Sequence, residues 1–355
     1  MKNEGMKPSE FAREQRSADL TPMLEVLLEG RTLSVEQTTS AFESMMTGEV
    51  HHGEMGAFLA LLATRLPTAE ELEGAATVMR RHVTGVPSGI ESDRVLDTAG
   101  TGGAPKTFNV STAAALVAAG AGAFVAKHGN RSRTGRGPAE ALQSLGINVD
   151  ADTSVQARCL EEAHICFCFA IHHHPATKHV MPVRKAMGVP TIFNLLGPLT
   201  NPAGAGRQLM GVWDGVYQHP VAEALNRLGT VRALVVHSDD GLDELSISAP
   251  STIVEVNEGS IETRRIRPED VGLKTADISL VTARDLDHAT EMMCQVLDGS
   301  EQGPPRDMTL LNAAAALLAS GVASDMGEGV AMSASSIDDG RASAAMAKLI
   351  EESNR

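Results

Sequence analysis

From Arg94 onward, the sequence alternates short aliphatic or β-branched runs with alanine-rich stretches, and this alternation limits the possible folds most strongly. The runs VLDTA, AFVAKH and HICFCFAI are separated by the helical stretches 111–121 and 139–145. Such an order predicts βαβ units and a mostly parallel central sheet flanked by helices. The later runs ALVVH and STIVEV are expected to continue the same sheet.

The first 90 residues predict a different kind of structure, a small helical domain. Apolar residues recur at helical spacing around MLEVLL and again over 55–62. Two capping boxes, Ser34 with Gln37 and Thr68 with Glu71, mark helix starts. Further helices are expected over 310–319 and 337–350, with 299–305 as a linker. The fold class is therefore α/β, with a small helical N-terminal domain over 1–90 and a larger α/β domain over 91–355.

Composition excludes several classes of protein. The longest apolar stretch, 113–126, is shorter than the roughly 20 residues that a spanning helix needs, so we expect no membrane partner. The first 20 residues contain no apolar core of a signal peptide, which predicts a cytoplasmic protein. The four cysteines have neither disulfide density nor zinc spacing, and we expect reduced thiols.

The distribution of charge points to a small anionic ligand. The chain has a net charge of −15, yet the 42 residues between Asp97 and Glu140 contain no carboxylate and five Lys or Arg residues. A nucleic acid would require a wide basic surface, so no nucleic-acid partner is expected. A solvated basic loop is the alternative that charge alone leaves open.

Two loops in this acid-free stretch are candidates for binding a phosphate. The glycine loop GTGG follows the run VLDTA, and the side chains of Asn109, Ser111 and Thr112 come next, where a helix is expected to begin. Glycines let backbone N–H groups approach a phosphate, although an ordinary strand-to-helix turn uses glycines too. The second loop, KHGNRS, follows the next expected strand, and the carboxyl ends of parallel strands meet at one edge of the sheet.

An acidic segment, SDDGLDELS, follows the run ALVVH. Its carboxylates, Asp239, Asp240, Asp243 and Glu244, are hard oxygen ligands of the kind that suits Mg²⁺, which needs only one or two carboxylates beside substrate phosphates. The alternative is an acidic first turn of a helix.

A third segment, HHHPATKHVMPVRKAMG, is rich in histidine. Consecutive residues of an extended chain point to opposite faces, which disfavours a zinc site built from all three histidines. Arg184 can pair with a ligand carboxylate or with a surface acid. No nucleophile elbow or HExxH motif occurs, so any chemistry is expected to rest on electrostatics and positioning.

In the order GTGG, NVST, KHGNRS, HPATK, PVRKAMG, TIFNLLGPLTNPA and DGLDELS, these motifs resemble the anthranilate phosphoribosyltransferase family, from about Leu24 to the C-terminus. The resemblance implies transfer of a phosphoribosyl group from 5-phosphoribosyl 1-pyrophosphate (PRPP) to the amine of anthranilate, in tryptophan biosynthesis. It also implies two Mg²⁺ ions, no obligatory general base, and a homodimer formed through the helical domain, which a helical segment around 178–205 completes. A same-fold enzyme with another acceptor, a nucleoside phosphorylase, and a non-catalytic binding relative are the alternatives.

The same resemblance assigns residues to roles. Those implied to bind PRPP are Gly100, Thr101, Gly102, Gly103, Thr107, Asn109, Val110, Ser111, Thr112, Lys127, Gly129, Asn130, Arg131, Ser132, Thr134 and Gly135. Those implied to bind anthranilate are Gly100, His128, Asn130, Arg184, Gly197 and Pro198. Those implied to hold Mg²⁺ are Ser111, Asp243 and Glu244. Those with an implied catalytic role are Lys127, His128 and Arg184.

The chain departs from the family pattern in two of these loops. Ala104 stands where the family has an aspartate after GTGG, and Pro138 and Glu140 replace a serine and an aspartate in the loop after KHGNRS. Both loops are one residue shorter than the family's.

Overall fold

The computed structural model describes residues 18–103, 107–132 and 135–355. Its seven strands are β1 Val95–Asp97, β2 Phe124–Gly129, β3 Ile165–Phe169, β4 Arg207–Gly211, β5 Arg232–Ser238, β6 Ser251–Asn257 and β7 Ser260–Ile266. Its α-helices before the first strand are α1 Thr21–Leu28, α2 Val35–Thr47, α3 His52–Ala63 and α4 Ala69–Arg81. Those between β1 and β5 are α5 Val110–Gly120, α6 Pro138–Ser144, α7 Thr153–Glu162, α8 Ala170–His173, α9 Met181–Met187, α10 Phe193–Leu196 and α11 Gln218–Arg227. Those after β7 are α12 Leu286–Leu297, α13 Pro304–Ser320, α14 Met326–Asp338 and α15 Arg341–Ser353. Short 3₁₀ helices are Ser92–Arg94, Pro175–His179, Gly215–Tyr217, Pro268–Val271 and Ile278–Val281.

The strands form one sheet in the order β3-β2-β1-β4-β5-β6-β7. The five strands from β3 to β5 are parallel, and β6 and β7 are antiparallel. The prediction of a mostly parallel sheet with a helical N-terminal domain is therefore confirmed. The sequence had not revealed β4 or β7.

A tight hairpin explains the antiparallel edge. Glu258 and Gly259 join β6 to β7, and both have positive φ, 46° and 89°. Two such residues form the turn whose twist matches paired antiparallel strands.

Two cores cover the two faces of the sheet. Helices α1 to α4 share one core with Val180, Val183 and the residues around α10, and this core continues onto α11 and one face of the sheet. Helices α5 and α12 to α15 cover the other face. Residues of the 178–205 segment thus share a core with the N-terminal helices, and the predicted domain boundaries, including the one at residue 90, stay predictions.

Local sequence signals determine several helix ends. Both expected capping boxes are present, at Ser34 with Gln37 and at Thr68 with Glu71. The expectation of one helix over 337–350 is wrong, because Gly340, with φ of 73°, separates α14 from α15. Among the described segments, none of the helices has the length and apolar character needed to cross a bilayer.

Candidate active site

Three loops meet where the strand order reverses, between β1 and β4. The backbone N–H of Thr101, in the glycine loop after β1, donates to the carbonyl of Gly211 at the end of β4 (2.9 Å). A Cβ at Gly211 would overlap the carbonyl oxygen of Asp243, and a Cβ at Gly100 would lie 3.3 Å from its Oδ2. Ligands of open α/β sheets bind at such a switch point, outside the carboxyl ends of the strands.

The glycine loop has a backbone that other residues rarely adopt. Gly102 and Gly103 have φ of 65° and 98°, in the left-handed region, and Trp213 lies beside the α-carbon of Gly103. The loop therefore needs glycine at both positions. Ala104, Pro105 and Lys106 lie outside the described residues.

Helix α5 begins at Val110, after the glycine loop, and its first turn is capped by the acidic segment. Asn109 precedes the helix with φ of 67° and makes no side-chain cap. Instead, Glu244 Oε1 accepts from the backbone N–H of Ser111 (3.1 Å), and Oε2 accepts from Thr107 Oγ1 (3.0 Å). The acidic segment leads into β6 rather than into a helix of its own, and Glu244 caps a helix whose Ser111 lies 133 positions earlier in the chain. Val110 and Thr112, in the same first turn, are buried.

Lys127 places a buried cation beside that helix start. Its Nζ lies 3.2 Å from Thr98 Oγ1, 3.3 Å from Thr98 O and 3.3 Å from Ser111 Oγ. Burial lowers the pKa of Lys127 to about 8, although the charges of Asp97 and Glu244 raise it. The ammonium group therefore remains mostly charged at neutral pH, next to the positive end of a helix, and this combination attracts an anion.

Asp243 and Glu244 have the chemistry expected of magnesium ligands. Burial and the neighbouring charge of Asp243 raise the pKa of Glu244 to about 7, against hydrogen bonds from Thr107 and Ser111. A divalent cation would relieve this repulsion. Within the described segments, no three His, Cys, Asp or Glu side chains cluster to hold a metal. Two carboxylates with Ser111 nevertheless fit Mg²⁺, which takes its other ligands from water and substrate phosphates. Asp239 and Asp240 pair with Arg265 and with serine hydroxyls instead.

The carboxylate of Glu140, in the first turn of α6, stabilises the loop after β2. Glu140 Oε2 accepts from the backbone N–H groups of Gly137 (3.0 Å) and Ser132 (3.4 Å). Arg131 donates to Gln143 (3.1 Å) and lies over the Phe169 ring (5.5 Å). Arg131 and Ser132 therefore already have protein partners in this loop. Thr134 and Arg133 lie outside the described residues, and Gly135 follows them with φ of 69°.

On the other side of β2, His128 is held at both ring nitrogens. Nδ1 lies 3.0 Å from the carbonyl of Gly197, and Nε2 lies 3.2 Å from His174 Nε2. A carbonyl only accepts, so Nδ1 donates to it and Nε2 accepts from His174. Burial, with His174 and His173 nearby, lowers the pKa of His128 to about 3. His128 is thus a neutral group that positions the Gly197–Pro198 turn rather than a proton carrier.

The three consecutive histidines have three different partners. His172 contacts Asp150, His173 contacts the carbonyl of Thr84, and His174 contacts His128. The three side chains diverge, although His172 and His173 lie in the short helix α8 and not in the extended segment that the sequence led us to expect.

Arg184 lies on α9, half-buried. Its guanidinium lies over the ring of Phe193 (5.0 Å), and Nη1 is 3.7 Å from Met181 Sδ. Asn130 and Gly129 follow His128 at the end of β2, where a Cβ at Gly129 would meet Phe167 and Pro138.

Sequence reasoning missed several residues of this site. In the sequence, Asp97 only marks where the acid-free stretch begins. In the structure it is fully buried between the loops after β1 and β2. Asn201 and Gln208, which bond the carbonyls of Ala126 and Pro198, were also missed. A carboxylate that ends a buried strand was the available signal for Asp97.

Two family models match this chain. The "Glycosyl transferase family, helical bundle domain" matches residues 21–83, and the "Glycosyl transferase family, a/b domain" matches residues 92–343. The anthranilate phosphoribosyltransferase of Xanthobacter autotrophicus is 44% identical, over 95% of this chain and 97% of that protein.

Solved structures of anthranilate phosphoribosyltransferases also resemble this chain. The anthranilate phosphoribosyltransferase of Thermus thermophilus superposes with a TM-score of 0.87 and 36% identity, covering 94% of this chain and 99% of that one. The Saccharomyces cerevisiae enzyme in complex with PRPP and Mg superposes with a TM-score of 0.84 and 26% identity, covering 96% and 99%. The same yeast enzyme has also been solved with 4-fluoroanthranilate.

Proposed function

Because this chain belongs to the anthranilate phosphoribosyltransferase family, we propose that it transfers the phosphoribosyl group of PRPP to the amine of anthranilate, releasing pyrophosphate. One observation supports this most. The glycine loop, the buried Lys127 cation and the Asp243–Glu244 pair converge on the start of α5. A cation, helix amides and a magnesium-binding pair together suit a pyrophosphate.

The donor would occupy the loops after β1 and β2. Backbone N–H groups of the glycine loop, the hydroxyls of Thr107 and Ser111, and Lys127 are the donors nearest the helix start. As the C1–pyrophosphate bond breaks, negative charge grows on the leaving group, and Lys127 stabilises that charge in a buried setting. The remaining residues predicted to bind PRPP stay predictions.

Asp243, Glu244 and Ser111 would hold Mg²⁺, and we propose two ions, as the sequence resemblance implies. The metal supplies charge neutralisation for the departing pyrophosphate. In the structure, Glu244 bonds Thr107 and the Ser111 N–H, groups that the pyrophosphate would also use. Glu244 would then give up these hydrogen bonds when the donor substrate binds with its metal.

The acceptor would lie against the Gly197–Pro198 turn, with its carboxylate facing Arg184. The aromatic amine of anthranilate is uncharged near neutral pH, so it needs placement more than deprotonation. His128 fits this picture, because both of its ring nitrogens are already bonded within the protein.

We also propose a homodimer formed through the helical domain. The proposal rests on the family resemblance, and the side chain of Leu28, at the end of α1, is 71% exposed and available to such an interface. Light scattering at micromolar concentration tests this proposal. The cytoplasmic location expected from the sequence stays a prediction.

The experiment that tests the function compares acceptors. With PRPP and Mg²⁺ present, anthranilate should be consumed, whereas benzoate, which lacks the amine, and aniline, which lacks the carboxylate for Arg184, should not. Equal turnover of aniline and anthranilate would contradict the proposed acceptor site.

A further inference from the structure

A single buried carboxylate joins the two loops of the donor site. Asp97, the last residue of β1, has no exposed surface. Its Oδ1 accepts from the backbone N–H of Ala99 (3.1 Å), next to the glycine loop, and from that of His128 (3.0 Å), near the end of β2. Burial raises the pKa of Asp97 to about 6, while Asn201, the His128 N–H and Lys127 oppose the rise.

Asp97 also lies close to the Gly197–Pro198 turn. Oδ2 is buried and accepts no hydrogen bond within the described part of the chain. Asp97 borders a cavity of about 140 Å³, which it shares with Pro198, Asn201 and Gln208 among others. Burying a carboxylate with an unbonded oxygen lowers the stability of the fold. Because Asp97 lies between the donor loops and the acceptor turn, this loss points to a role in function.

The same cavity residues hold the acceptor turn in place. Gln208 Nε2 donates to the carbonyl of Pro198 (2.6 Å), and Asn201 Nδ2 donates to the carbonyl of Ala126 (2.7 Å), directly before Lys127. Asp97 therefore bonds the chain just before each donor loop and lies beside the residues that fix the turn at 197–198.

We propose that Asp97 is a positioning residue that fixes the acceptor turn relative to the donor loops, so that the amine of the acceptor faces C1 of the phosphoribosyl group. This role rests on the proposed function. Each substrate contacts mainly its own loops, so a shift between the loops leaves each binding step nearly unchanged. The shift matters when both substrates react, where a misplacement of 1 Å can cost about 100-fold in rate.

Asp97→Asn tests the role, because the amide keeps the shape and one accepting oxygen but loses the charge. We expect kcat to fall about 10- to 100-fold, while KM for PRPP and for anthranilate each stay within about threefold of wild type. The matched control is Asp93→Asn, an exposed aspartate in the 3₁₀ helix just before the same strand, which should leave all three constants unchanged. A merely structural role would lower thermal stability without this split between kcat and KM.

A second variant covers the case in which Asp97→Asn does not fold. Gln208→Met removes the bond to the Pro198 carbonyl across the cavity, and it should give the same pattern, a lower kcat with both KM values retained. If the folded variants keep the wild-type kcat, or if only the KM for one substrate rises, the positioning role is overturned. Absence of turnover by the wild-type protein would instead overturn the proposed function, and this inference with it.

Discussion

The carboxylate of Glu244 accepts a hydrogen bond from the backbone N–H of Ser111 across 3.1 Å, although 133 positions separate the two residues. Through this contact, the acidic loop after β5 caps the helix that follows the glycine loop. A carboxylate at the positive end of a helix occupies the place that suits a phosphate. In the site that we propose, binding of the donor and of Mg²⁺ would therefore be coupled through one side chain.

This coupling predicts the behaviour of Glu244→Gln. In the wild type without Mg²⁺, the Glu244 carboxylate would repel pyrophosphate and keep its hydrogen bonds to Thr107 and the Ser111 N–H. Mg²⁺ should therefore tighten pyrophosphate binding by about tenfold or more, equivalent to about 1.4 kcal/mol. Titration calorimetry of pyrophosphate with and without Mg²⁺ should show a much smaller effect in Glu244→Gln. Glu262→Gln, on the exposed edge strand, is the control. An equal Mg²⁺ effect in all three proteins would contradict the coupling.

Arg184→Ala should mainly weaken the use of the acceptor. Loss of a charged hydrogen bond to a carboxylate costs about 1.5–3 kcal/mol, which corresponds to an increase in KM for anthranilate of about 10- to 100-fold. Steady-state kinetics should find KM for PRPP nearly unchanged. Lys185→Ala changes the exposed neighbour on α9 and should have little effect. If KM for anthranilate stays at the wild-type value in Arg184→Ala, Arg184 does not contact the acceptor.

The pair His128–His174 predicts how stability depends on pH. Burial lowers the pKa of His174 to about 4, below its ordinary value of about 6.5. The unfolded chain therefore takes up a proton first, and stability is lost as the pH falls from about 6.5 towards 4. In His174→Gln, the amide can still donate to His128 but does not titrate.

Chemical denaturation at pH 7 and at pH 4.5 measures this effect. His174→Gln should lose less unfolding free energy than the wild type over this range, by up to about 3 kcal/mol. The control His52→Gln removes an exposed histidine and should follow the wild type. Parallel losses in wild type and His174→Gln would show that the buried pair does not titrate as described.

Glu71 predicts the stability of the helical domain. This fully buried carboxylate accepts from the backbone N–H groups of Leu33 and Thr68 and pairs with Arg65. Removing it leaves buried donors and a charge unpaired, so Glu71→Ala should lower the unfolding free energy by about 3–5 kcal/mol. Urea denaturation measures the change, with the exposed Glu49→Ala as control. A loss under about 1 kcal/mol would mean that the network contributes little.

Local signals in the sequence predict much of this fold, and long-range contacts explain what they miss. The capping boxes at Ser34 and Thr68 lie within three residues of their partners, so the sequence reveals them directly. The edge strand β7, SIETRRI, is mostly exposed and charged, as protected edges are, and therefore lacks the apolar pattern of a buried strand.

In the site, too, the sequence predicts the local features and misses the long-range contacts. Its loops could be predicted because parallel strands place their carboxyl ends at one edge. Two contacts of the site join residues that are distant in the chain: Glu244 with the Ser111 N–H, and Asp97 with the His128 N–H. No local sequence pattern predicts them. The expectation of a single helix over 337–350 failed because one left-handed glycine, Gly340, outweighed the helical composition around it.

The most direct test of the central claim is the stoichiometry of the reaction. Purified protein with PRPP, Mg²⁺ and anthranilate should release one pyrophosphate for each anthranilate consumed. The loss of anthranilate fluorescence measures its consumption, and a coupled enzyme assay measures pyrophosphate. Neither product should form when PRPP or Mg²⁺ is left out. Unchanged anthranilate, together with turnover of a nucleoside and phosphate by the same preparation, would contradict the proposed function.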